Sequence, residues 1–176
     1  MMQETVTTNA GEVEDVKQYV STIHKASLIA LLLTGSVEEA ENTVLEAIAL
    51  FEVGQDAPEA LLMITIAEAV RRPSSRQTYK RAKGRSSMLP WQLSAVLYLS
   101  PQLRHCYILR ILLGWSREIS ADLLGIDTTQ VDECTRTAVV RLARIHKLFE
   151  QWNAKSTADS NREEDELSFK AKGSLR

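Results

Sequence analysis

A single glycine, set between two amphipathic runs in the C-terminal half, constrains this chain more than any other residue. The stretch REISADLL (117–124) carries Ile119, Leu123 and Leu124 at helical spacing. Gly125 comes next, and a second run from Thr128 repeats apolar side chains at Val131, Ala138, Leu142, Ile145 and Phe149. Both sets keep to the 3.6-residue period of a helix with one buried face. Ser116 suits the cap of the first helix, Asp127 or Thr128 that of the second, and Gly125 the left-handed turn between them. Helix, tight glycine turn, helix is the order of a helix-turn-helix, with Ile119, Leu123 and Leu124 facing inward.

The rest of the chain reads as helix too. Val16, Val20, Ile23, Ser27, Ala30 and Leu31 predict a first helix from about Glu14 to Leu33, stopped by Thr34-Gly35. Ser36, with Glu39 three residues later, is a capping box for a second helix with Val37, Ala40, Val44, Ala47, Ile48 and Phe51 on one stripe and Gly54 at its end. Asp56 caps a third, with Pro58 in its first turn and the apolar interior ALLMITIAEAV. After residues 73–88, a short helix carries Leu93, Val96 and Leu97. Ser100-Pro101 then opens another with Leu103, Cys106, Tyr107, Arg110 and Ile111, and Gly114 breaks it. The expected fold is all-α: two small helical domains, 14–72 and 89–149, joined by a basic linker at 73–88. Residues 150–176 are expected to form a disordered tail, having too few apolar side chains to pack.

Charge divides the chain further. Residues 1–70 hold twelve acidic and two basic side chains, whereas RRPSSRQTYKRAKGR (71–85) holds seven basic and none acidic. An acidic front repels phosphate, so nucleic acid belongs to the second half and a protein partner to the first. The start has no basic apolar leader, and the run SLIALLLTG falls well short of a membrane span, which predicts a cytoplasmic protein that does not enter a membrane. Cys106 and Cys134 have no ligand spacing around them, and His24, His105 and His146 are scattered, so no metal and no cofactor are expected. Phosphate-binding loops and nucleophile elbows have no matching motif, and the chain reads as a binding protein and not an enzyme.

In a helix-turn-helix the second helix enters the major groove by its first turns. That places Thr128, Thr129, Gln130, Asp132, Glu133 and Arg136 toward DNA: Gln130 is suited to adenine, Arg136 to guanine or phosphate, and Glu133 to a cytosine donor. Asp132 and Glu133 each need a protein cation or a matched base beside so dense a line of phosphate charge. Arg141, Arg144 and Lys147 lie further along, as a backbone clamp or as a solvated outer face.

The run from Leu99 to Ile145 resembles the C-terminal promoter-binding domain of bacterial RNA polymerase sigma factors of the extracytoplasmic-function type. Ser100-Pro101, Arg104, Gly114, Glu118-Ile119, Ala121, Leu124-Gly125-Ile126, Val131, Ala138 and Leu142 match the family's order. SLIALLLTGSVEEAENTVLEAIALF (27–51) is similar to a reduced core-binding domain, with Ala40, Glu41 and Glu46 in place and Asn42 where aspartate is usual. The resemblance implies that Glu41, Asn42 and Glu46 meet core RNA polymerase and that the second domain, Arg141 included, meets double-stranded promoter DNA. It admits two readings. One is a transcription initiation factor; the other is a sigma-like interaction module that binds an anti-sigma factor or another regulator.

Overall fold

A computed structural model of the chain describes residues 9–51, 57–72 and 89–173. Among them there is no strand, and the fold is all-helical as expected. The helices are α1 (Asn9–Thr34), α2 (Val37–Leu50), α3 (Pro58–Arg71), α4 (Trp91–Val96), α5 (Pro101–Tyr107), α6 (Arg117–Leu124) and α7 (Thr128–Gly173), with a single π-helical turn, Ile108–Leu112, continuing α5. The expected stop at Gly54, the cap Asp56, the linker at 73–88 and the side chain of Phe149 lie outside the described residues.

The first three helices pack on one another because α1 is lined with small side chains. Ala26 and Ala30 are wholly buried, so α2 and α3 approach closely, with Ala40, Val44 and Ala47 facing them from α2. At one end Tyr19 and Phe51 meet edge to face, with ring centroids 6.0 Å apart, over Leu61. Three buried threonines satisfy their hydroxyls on the preceding turn: Thr34 donates to the Ala30 carbonyl, Thr43 to that of Glu39 and Thr65 to that of Leu61. They are therefore accommodated in an apolar setting without the cost of a lone polar group. The third helix begins at Pro58 with Ala57 as its cap residue and no side-chain capping bond.

One core runs through both halves of the chain. Leu32 and Leu33 from α1, and Ile66 and Ala69 from α3, lie in the same cluster as Val96, Leu99, Leu103, Ile108, Leu109 and Ala138. A fully buried side chain such as Leu33 or Ile108 contributes about 1.5–3 kcal/mol. The end of α1 meets α5 at the Leu33 carbonyl. There Gly35 turns left-handed at φ 75° and its amide donates to the Leu31 carbonyl, ending α1. The Leu33 carbonyl would be left without a partner by this turn, and two side chains from α5 supply donors: Arg104 Nη2 at 2.9 Å and His105 Nε2 at 3.1 Å. With a carbonyl as partner, Nε2 of His105 carries the proton.

One expectation is corrected. Ile119 does not face inward: it is 51% exposed, and α6 buries Ser120 and Ala121 instead. Small side chains let this short helix sit close, and the Ser120 hydroxyl enters the core because it donates to the Ser116 carbonyl. The last helix, α7, runs on to Gly173. No glycine or proline occurs between Gly125 and Gly173 to interrupt it.

Candidate nucleic-acid interface

The α6–α7 pair is assembled locally. Ser116 caps α6 by accepting from the Ile119 amide at 3.2 Å. Gly125 closes the helix at φ 63°, and the Ile126 amide reaches back to the Ala121 carbonyl at 3.2 Å, a Schellman-type end. Asp127 then opens α7: its Oδ1 accepts from the Gln130 amide at 2.8 Å, while Gln130 Oε1 accepts from the Asp127 amide at 3.3 Å. This reciprocal pair is a capping box. Val131 and Ala138, both fully buried, then fix the rotation of α7 against the other helices.

Of the residues expected to face DNA, Thr129, Gln130, Glu133, Arg136 and Arg141 are exposed, and Thr128 and Asp132 are half-buried. The amide oxygen of Gln130 is occupied by the capping box, a structural partner that competes with any contact to adenine. Asp132 has the protein cation it was expected to need. Arg117 Nη1 lies 3.7 Å from its carboxylate, and the same guanidinium bonds Glu118 through Nε at 2.7 Å. Arg117 and the backbone together hold the Glu118 carboxyl down to about 2, and Glu118 and then Asp132 raise Arg117 in turn. From 117 to 136 the pair still carries five carboxylates against two guanidiniums.

Further along α7 the balance reverses. Residues 134–149 include Arg136, Arg141, Arg144 and Lys147 and no carboxylate. All four cations are exposed, and His146 is drawn to Glu150 at 3.3 Å. Beside this stretch a groove of about 530 Å³ is lined by Gln92, Ala95, Tyr107, Ile111, Val139, Leu142, Ala143 and His146.

On α2, Glu41, Asn42 and Glu46 are all exposed. Glu46 is engaged, however: Arg72, at the end of α3, pairs with it and with Glu39 at 3.0 Å, and Glu46 is the main cause of the raised Arg72 pKa. Glu41 and Asn42 have no such tie among the described residues, and exposed Leu45 lies beside them.

Two buried polar side chains, Arg104 and His105, escape a reading by helical period. Arg104 is 5% exposed and burial lowers it to about 10; His105, pressed by burial and by Arg104, falls to about 4. Cys106 is fully buried beside Cys134, and burial pushes its thiol up to about 12, which makes it a packing residue and not a nucleophile. Among the described residues no group of three histidine, cysteine or acidic side chains is placed to hold a metal, and no helix is long and apolar enough to cross a membrane. Comparison with protein-family models, with curated proteins and with solved structures gave no match to this chain.

Proposed function

We propose that this chain is a sigma-like transcription initiation factor, in which α2 binds core RNA polymerase and the α6–α7 pair places the complex on promoter DNA. The observation that carries the reading is the helix-turn-helix itself. A capped eight-residue helix, a left-handed glycine turn and a second capped helix leave Thr129 and Arg136 outward on the first turns of α7. Exposed Glu41 and Asn42 on α2 supply the matching surface for polymerase. Specificity here is binding without chemistry.

The test is co-migration of the purified chain with core polymerase, and then a footprint on promoter DNA at moderate salt. Co-migration with a footprint supports the proposal; failure of both sinks it. A second reading, a non-initiating module that binds an anti-sigma factor or another regulator, is favoured by one observation. The excess of carboxylates over 117–136 opposes close approach to phosphate and suits a basic protein surface. Polymerase binding with no footprint would favour that reading.

A further inference from the structure

We infer that the stretch of α7 from Arg136 to Lys147 is a sequence-independent phosphate-backbone site, formed by Arg136, Arg141, Arg144 and Lys147. This deepens the proposed function, since it rests on the second half meeting nucleic acid, and it moves the main contact away from the first turns of the helix. The first turns are poorly suited to phosphate. Arg117 is taken up by Glu118 and Asp132, Gln130 by its capping box, and Glu133 stands exposed.

The four cations differ on each of these points. None has a carboxylate partner among the described residues. At about 100° per residue they fall within an arc of about 140° on the side of α7 turned away from Val131 and Ala138. From Arg136 to Lys147 the helix rises about 16 Å, about the axial rise of five base pairs of duplex. Long side chains on one exposed helical face, with no carboxylate from 134 to 149, form a cationic surface that a polyanion fits without any base being read.

The test is fluorescence anisotropy of the full chain with a duplex of about 20 base pairs of arbitrary sequence, repeated over a range of salt. Four phosphate contacts give a log–log salt slope of about −3.6, so affinity falls about a hundredfold between 50 and 200 mM salt. Scrambling the duplex sequence leaves affinity within about twofold. The R136A/R141A/R144A/K147A variant, checked for native helicity, loses at least about tenfold at low salt and most of the slope. The R136K/R141K/R144K variant keeps the slope, because point charges suffice. An alanine variant that binds duplex with the parental slope overturns the inference, as does binding confined to anionic vesicles. Polymerase co-migration without DNA is scored separately: polymerase binding with no duplex binding overturns this inference alone, and the reverse overturns the initiation-factor reading alone.

Discussion

Arg104 donates from Nη2 to the carbonyl of Leu33, 71 residues earlier in the chain, at 2.9 Å. A buried guanidinium with no carboxylate beside it is costly to hold. Its place is the C-terminal end of α1, where unpaired carbonyls and the helix dipole favour a cation. The same contact ties the first three helices to the helix-turn-helix half.

Replacing Arg104 with alanine is expected to destabilise the protein by about 2–4 kcal/mol, through the cavity left and the loss of a charged donor to Leu33. Urea unfolding measures it. A loss below about 1 kcal/mol would mean that His105 alone suffices at this carbonyl.

Gly35 lies directly against this guanidinium. A Cβ built there would stand 2.9 Å from Arg104 Nη1, and φ is +75°. Gly35→Ala is therefore expected to cost more than the roughly 1–2 kcal/mol of the left-handed backbone alone. In the Arg104→Ala background the steric part disappears and the backbone part remains. A double-mutant cycle reads the difference as a coupling energy of at least about 0.5 kcal/mol.

His105 sets a pH dependence. Its folded pKa of about 4 lies below the ordinary 6.5, so below pH 6.5 the unfolded chain takes up a proton that the native form refuses. Stability from this residue is full above about pH 6.5 and is lost as pH falls toward 4, by up to about 3 kcal/mol. Unfolding free energies at pH 7 and pH 4.5 for the parent and for His105→Gln test it: the substitution flattens the slope across this window.

Asp127→Ala and Gln130→Ala each remove one half of the capping box on α7, and a loss of about 1 kcal/mol is expected from the first and less from the second. Thermal unfolding reports it. If Gln130 instead acts at a base, its substitution changes binding to one duplex sequence over another with no change in melting temperature.

Arg117→Ala frees the Glu118 carboxyl, whose pKa is expected to rise from about 2 toward its usual 4.5. Carboxyl NMR titration measures this directly. Duplex binding is expected to weaken as well, since two acidic side chains lose the cation between them.

The capped ends of α2, α6 and α7 are legible in the sequence because their partners lie three residues apart. Ser36, Ser116 and Asp127 each accept from the third amide beyond them. The reciprocal half of the box at Asp127 is written there too, as Asp-x-x-Gln, yet the same Gln130 is also expected to face DNA, and the one side chain suits both readings. At Ser36 the box fails on its other side, since Glu39 bonds Arg72, and a partner 33 residues away leaves no local pattern. Arg104 and His105 are invisible for a related reason. Their residue types read as surface, and only the approach of α1 to α5 turns them inward. Ile119 is misread because apolar spacing favours the larger side chain, while the close packing of α6 is set by Ser120 and Ala121.

The π-helical turn at Ile108–Leu112, closed by the Leu113 amide on the Ile108 carbonyl at 2.9 Å, holds one residue more than an α-helix of the same rise. It is an insertion already absorbed. The extra residue turns Ile111 and Leu112 outward and leaves Arg110 bonded to the Trp115 carbonyl. An otherwise identical chain one residue shorter here would close the stretch as ordinary α-helix and leave the segment after it in nearly the same register. The distance between Leu103 and Ser116 is thus a length at which this fold tolerates a deletion only if Arg110 gives up its carbonyl.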